Sequence, residues 1–271
     1  MQISSETKSS DGTRKFLIEL DDKKKIEAVL IFHKRTVCIC ISSQVGCAMK
    51  CSFCATGLMG FSRNLTKEEI VGQFNLLQSV CDRPITNIVF MGMGEPLHNY
   101  DNVVDAVNEF RKREISWKKI TVSTVGLPDK IKQLAKDTQC CLALSLHAPN
   151  DELRSKLVPI NQRFPIRELL DACKEFPVKN NLPVMIEYVL IKGVNDSQKC
   201  AEELATVLQI LPNVMVNIIP YNSVAGIGYE RPSLATAEEF KQILINAGYK
   251  TIIRTTKGVD TQAACGMLAV K

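Results

Sequence analysis

"TVCICISSQVGCAMKCSFCATG", Thr36 to Gly57, decides how this chain is read. The first half is a short run of β-branched and apolar residues, the composition of a buried strand. The second half sets Cys47, Cys51 and Cys54 in a CxxxCxxC spacing, in a loop that runs into Gly57. Clustered thiols of this kind suit soft metals. Zinc in a structural site prefers four ligands, whereas three thiolates match three irons of a 4Fe–4S cluster and leave the fourth without a protein ligand. Spacing alone leaves two other readings open. One is a three-cysteine zinc site completed by His33, His98 or His147; the other is plain buried thiols.

Outside this loop, strand-like and helix-like stretches alternate. "FLIEL" and "KIEAVLIF" predict a hairpin turned by "DDKK", and residues 1–13 read as loose or edge-like. Beyond the loop, helices are expected near 66–81, 101–113, 128–136, 150–157 with 166–176, 196–210 and 235–246. Each precedes an apolar strand: "ITNIVFMGM", "KITVST", "CCLALSLHA", "PVMIEYVLI", "MVNIIPYN" and "KTIIRT". Thr66 stands three residues before Glu69, the spacing of a capping box, and Gly248 supplies a helix stop. Strand–helix units with near-continuous apolar strands predict a parallel sheet covered on its outer face. The expected α/β architecture is a partial (βα)6-type barrel over residues 36–271, preceded by an N-terminal β extension over residues 1–35.

In such a barrel, chemistry sits at the C-terminal ends of the strands. The unusual residues fall there. The cysteine loop follows "TVCICISSQ", "GMGEP" follows "NIVFM", "STVG" ends "KITV", "SLHAPND" ends "CCLAL", "NDS" follows "VMIEYVLIKGV", and "PYN" ends "MVNII". They are therefore read as one site.

Composition narrows the class. The 271 residues are 45% apolar and 23% charged, as in a globular domain with a sizeable core. No run approaches the ~20 apolar residues of a membrane helix, and the N-terminal residues carry no apolar signal segment. A cytoplasmic protein is expected. Eleven cysteines, an odd number mostly inside apolar runs, argue against a disulfide scaffold. Cys38, Cys140, Cys141, Cys173 and Cys200 read as small buried hydrophobes, and Cys81 as structural. The net charge of +5 permits a nucleic-acid partner without demanding one.

The CxxxCxxC loop after the first strand of a (βα)-type chain resembles the radical S-adenosylmethionine (SAM) superfamily. A finer resemblance lies in "CISSQVGCAMKCSFCATG", "FMGMGEPLHN", "ITVSTVG", "LALSLHAPNDELRSKLVPIN" and "GVDTQAACGMLA". Together these are similar to the RlmN/Cfr family of radical SAM RNA methyltransferases. The resemblance implies methylation of an adenosine carbon in 23S rRNA, tRNA or both. That carbon is C2 in the RlmN branch and C8 in the Cfr branch, and "MGMGEPLHN" leans towards C2. It implies a 4Fe–4S cluster on Cys47, Cys51 and Cys54, two SAM molecules per turnover, and a one-electron donor such as flavodoxin or ferredoxin. A monomer away from the membrane is expected.

An aromatic amidine carbon is not nucleophilic, so direct methyl transfer from SAM fails there, and the family uses a thiol relay. By resemblance, Cys265 is methylated, gives up a hydrogen atom from its methyl group, and adds to the adenine carbon. Cys40 then resolves the adduct by forming a disulfide with Cys265. Cys38 shares the strand face of Cys40; only the family's spacing of seven to Cys47 selects Cys40. Gly94, Glu95, Ser123, Ser145, His147 and Asn222 match the family's SAM contacts. Glu27 matches an acid on the RNA-facing side that assists proton movement.

Plainer readings stand beside these: a turn at Glu95–Pro96, a satisfied core histidine at His147, an outward strand residue at Glu27. Arg63, Arg154 and Arg163 are candidates for RNA-backbone contacts at the barrel mouth. The family's usual N-terminal accessory domain is expected to be missing, because the resemblance begins near "SSDGT", which leaves the choice of RNA open. Two further readings keep the cysteine loop. One is a radical SAM enzyme with a non-RNA substrate. The other is a non-catalytic iron–sulfur or zinc RNA-binding module, which leaves "GMGEP" and the late "ACG" without a purpose.

Overall fold

The computed structural model describes residues 1–176 and 183–270. Strands β1 (Gln2–Lys8), β2 (Arg14–Glu19) and β3 (Lys25–Phe32) form an antiparallel ladder, and β3 pairs antiparallel with β4 (Val37–Cys40). The hairpin expected at "DDKK" is present. Leu20 N donates to Lys24 O at 2.8 Å, and Lys23 takes the left-handed conformation the turn needs. β1 is polar and almost wholly exposed, as suits a sheet edge.

The next stretch holds a feature the sequence reading missed. β5 (Gln44–Gly46) and β6 (Phe61–Asn64) form a small separate hairpin, with the short helix α1 (Ala55–Leu58) between them. The cysteine loop is thus the head of a hairpin and is gripped at its neck, where Cys47 N donates to Gly60 O at 2.8 Å.

From here the expected alternation is observed. Helix α2 (Lys67–Ser79) leads to β7 (Asn87–Phe90), and α3 (Tyr100–Lys112) to β8 (Ile120–Thr124). α4 (Pro128–Asp137) leads to β9 (Cys141–Ser145), and α5 (Asp151–Leu157) with α6 (Ile166–Lys174) to β10 (Val184–Leu190). α7 (Gln198–Val207) leads to β11 (Val214–Pro220), and α8 (Leu234–Asn246) to β12 (Lys250–Ile253). Thr66 and Glu69 close a capping box on α2, and Ser197 and Ser233 cap α7 and α8. In α3, Val103, Val104, Val107 and Phe110 recur at helical spacing and are buried, with Phe110 lying against Phe74 and Phe90.

The large sheet has ten strands in the order β1-β2-β3-β4-β7-β8-β9-β10-β11-β12. From β4 to β12 every pairing is parallel. The order ends at β12 without return, so the barrel is open on one side. Residues after β12 bridge that opening. Gly258 N donates to Asp11 at 2.9 Å, Ser10 N donates to Asp260 at 2.9 Å, and Ala269 N donates to Glu27 at 2.9 Å. The antiparallel extension therefore holds down the segment that carries Cys265.

Candidate active site

The C-terminal strand ends converge on one cavity of about 910 Å³, counting its open mouth. Cys47, Cys51 and Cys54 border it from the loop after β4. Gly94 and Glu95 come from the loop after β7, Ser123 from β8, Ser145 from the end of β9 and His147 just beyond it, Asn222 from just after β11, and Cys265 from the C-terminal segment. Each of these sites was predicted from sequence, and the fold brings them together.

Local chemistry explains several placements. Glu95 is buried, and its carboxylate accepts from Leu97 N and Val125 N, each at 2.9 Å. Burial raises its pKa, and the two backbone donors pull it back. Glu95 thus caps the 3-10 turn that follows it, as the plain reading expected, and also borders the cavity. Gly94 has φ +103°, and a Cβ there would stand 2.6 Å from the Gln44 side chain. Gly94→Ala is expected to destabilise the protein by roughly 1–3 kcal/mol, read as a lower thermal midpoint. A midpoint equal to the parent's would contradict this packing. The Ser123 and Ser145 hydroxyls meet at 3.3 Å across neighbouring strands.

His147 holds a left-handed backbone with φ 62°, which is costly for a non-glycine residue. Its Nδ1 accepts from Val189 N at 3.1 Å. Burial, and then the charge of Arg154, lower its pKa to about 3, so the ring is neutral. Asn222 donates to Cys265 O at 3.2 Å and accepts from Arg231 at 3.0 Å, which fixes the backbone of the Cys265 loop. Cys265 itself is exposed.

The cysteine loop and the Cys265 loop are bonded to each other. Ala55 N, next to Cys54, donates to Gly266 O at 2.8 Å, and Thr56 Oγ1 donates to Leu268 O at 2.6 Å. Ser52 N reaches Leu157 O at the end of α5 at 3.0 Å.

Two predicted residues, Cys40 and Glu27, are not among those that line the cavity. Cys40 is buried at the end of β4, where burial and then the nearby Cys265 thiol push its pKa well above the usual range. Cys38 is half-buried on the same strand, and burial raises it to about 11. Glu27 is buried; its carboxylate pairs with Lys15 at 2.9 Å and accepts from Ala269 N at 2.9 Å. Of the other cysteines, Cys140 and Cys173 are fully buried, while Cys81, Cys141 and Cys200 are half-buried.

One expectation is corrected. Arg154 cannot touch an RNA backbone, because it is wholly buried, with its guanidinium turned to the carbonyls of Val125, Ser145 and Leu146. Arg63 is engaged by Asp22 and Glu69, both at 2.7 Å, and Arg163 is exposed.

The sequence reading missed two lining residues, Glu187 on β10 and Arg254 just after β12, which pair at 3.7 Å. The Cys265 thiol does most to raise the Arg254 pKa. A lone carboxylate inside "VMIEYVLI" was the available signal for Glu187. Glu187 Oε2 and Tyr221 Oη are buried at the cavity without a hydrogen-bond partner, as expected of groups awaiting a polar ligand.

The donor set also fits an iron–sulfur group. Burial holds the Cys47, Cys51 and Cys54 thiols in their protonated form, Cys47 up to about 12. Three thiolates in this setting need a positively charged partner, which iron supplies.

Comparison with known proteins agrees. Residues 41–204 match the Radical SAM superfamily. The chain is 45% identical to the dual-specificity RNA methyltransferase RlmN of Marinomonas sp. strain MWYL1, across 98% of this chain and 76% of that protein. It is 47% identical to the probable dual-specificity RNA methyltransferase RlmN of Thermotoga maritima, across 96% of this chain and 77% of that one. A solved radical SAM methyltransferase from Sphaerobacter thermophilus superposes with a TM-score of 0.94 at 44% identity, covering 98% of this chain and 80% of that one. With its thiol loop, its cavity at the strand ends and its partial barrel in place, this chain belongs to the radical SAM superfamily and, within it, to the family of RlmN-type RNA methyltransferases.

Proposed function

We propose that this enzyme methylates C2 of an adenosine in rRNA, tRNA or both, through a methyl group carried by Cys265. The observation that most supports this is the joining of the two cysteine-bearing loops, Ala55 N to Gly266 O at 2.8 Å beside one cavity. A thiol relay requires such closeness between the radical source and the methyl carrier.

Cys47, Cys51 and Cys54 would hold a 4Fe–4S cluster, and Gly94, Glu95, Ser123, Ser145, His147 and Asn222 would hold SAM. When bound, these groups supply one electron, a methyl group and, from a second SAM, a hydrogen-abstracting radical. The chain's own residues do the rest. Asn222 steadies the Cys265 backbone, and the exposed sulfur can both receive a methyl group and meet a substrate from solvent. Glu95, bonded by two backbone N–H groups, presents a fixed carboxylate near where an ammonium would sit. Cys40, on which Cys265 acts electrostatically, would take that sulfur into a disulfide as the Cys265 S–C bond to the product breaks. Glu27 anchors Ala269 in this arrangement, and moving a proton at the substrate would require that anchor to open. A splayed-out adenosine is the target, because base edges are hidden in an A-form helix. A flavodoxin or ferredoxin would deliver the electron to a monomeric enzyme.

The test is anaerobic incubation with rRNA and tRNA, followed by nucleoside mass spectrometry. We expect 2-methyladenosine. Finding 8-methyladenosine instead would move the enzyme to the Cfr type, and the absence of both products would overturn the RNA reading.

A further inference from the structure

Arg154 is the one Lys or Arg in the fully buried class among the described residues, with 0% exposure. Other interior cations have carboxylates: Lys15 pairs with Glu27 at 2.9 Å and Arg254 with Glu187 at 3.7 Å. Arg154 has no ion pair among the described residues. Its N–H groups go to neutral acceptors instead: Leu146 O at 2.9 Å, Ser145 O at 3.1 Å, Val125 O at 2.5 Å and Asn161 Oδ1 at 2.9 Å. Its hydrogen bonds are satisfied by neutral groups, and the one carboxylate that acts on it, the exposed Asp151, does so only through space, with Asn161 between them donating to Asp151 Oδ1 at 3.0 Å. A buried charge with no counter-charge in contact is unfavourable, so a closer anionic group is expected in the working enzyme.

The placement indicates what that is. Val125 and Ser145, whose carbonyls Arg154 holds, form the cavity wall facing the cysteine loop. Arg154 sits on α5, the helix whose end receives Ser52 N, next to Cys51. No carboxylate accepts from it, and the neighbouring His147 is neutral. The guanidinium therefore stands behind the wall of the three-thiol cavity, in low dielectric and shielded from solvent.

We propose that Arg154 is a built-in counter-charge for the thiolate-held iron–sulfur cluster, raising its reduction potential and so easing the electron uptake that starts turnover. This rests on Cys47, Cys51 and Cys54 being the cluster's ligands. Reduction adds one negative charge to the cluster. A fixed cation nearby stabilises the reduced form more than the oxidised one, most strongly where solvent cannot screen it.

Three variants separate charge from scaffolding. Arg154→Met removes the charge and the hydrogen bonds. Arg154→Lys keeps the charge and loses most of the directional contacts. Asn161→Asp keeps the guanidinium and places a carboxylate where Asn161 Oδ1 now accepts from it at 2.9 Å; it also gives up the Asn161 Nδ2 bonds to Asp151 and Ser155, so its thermal midpoint is measured beside the parent's. Each reconstituted protein would be checked for iron content and titrated with dithionite under EPR. For Arg154→Met and Asn161→Asp we expect at least a tenfold lower ratio of reduced to oxidised cluster at a fixed potential, a midpoint lower by about 59 mV. Arg154→Lys should stay near the parent. Should Arg154→Met fail to hold iron, Asn161→Asp against Arg154→Lys decides. An unmoved midpoint in Asn161→Asp, or an equal drop in Arg154→Lys, would overturn the proposal. A parent that assembles no cluster would overturn the ligand assignment itself.

Discussion

Cys265→Ala is expected to lose methyl transfer to RNA by at least about a thousandfold while keeping its full iron content. The side chain is exposed and its loop is held through the backbone, by Asn222 to Cys265 O and by Ala55 to Gly266 O. Removing one sulfur therefore leaves those bonds in place, and stability should change by no more than about 0.5 kcal/mol. SAM cleavage should persist, because the cluster ligands and the SAM-facing groups come from other strand ends. The assay is methylated nucleoside formed per enzyme, run beside 5′-deoxyadenosine release and iron analysis. Retained methyl transfer would remove Cys265 from the chemistry.

The second large effect concerns the metal loop. Cys51→Ala is expected to lose nearly all bound iron and with it all SAM cleavage, because three thiolates are the minimum protein set proposed for the cluster. Cys140→Ala serves as the comparison. Cys140 is also a buried thiol, but it sits just before β9, away from the cavity lining, so its loss should leave iron content unchanged. Iron and sulfide analysis with the visible absorption spectrum reads both. Equal iron in parent and Cys51→Ala would remove this loop as the cluster site. The neck of the hairpin and the Ser52 to Leu157 bond do not use the sulfur, so the loop should stay folded.

Much of this was legible in the sequence because two signals coincided. Apolar strands such as "CLALS" and "VMIEYVL" are buried on both faces, so they read as near-continuous apolar runs of strand length. The chemistry-bearing residues follow them directly, so the order of the strands along the chain gives the order around the site. Other features left weaker traces. The β5–β6 hairpin is built of three- and four-residue strands and depends on Gly46 at φ +77°, where a Cβ would meet Gly60 O at 2.0 Å; spacing alone does not reveal such a contact. Arg154 was misread because an arginine in the largely charged stretch "DELRSK" looks solvated. Its burial follows from carbonyls that β8 and β9 leave unpaired at their ends, and only the three-dimensional arrangement supplies them. The hold of Asp11, Lys15 and Glu27 on the Cys265 segment joins residues far apart in the chain and likewise needed the fold.

The most direct test of the account is peptide mass spectrometry of the protein expressed anaerobically with iron and SAM available. A methyl or methylene group on Cys265 is the predicted result. A free Cys265 thiol in protein whose cluster is full and which cleaves SAM would contradict the relay and send the search to a different acceptor for the radical.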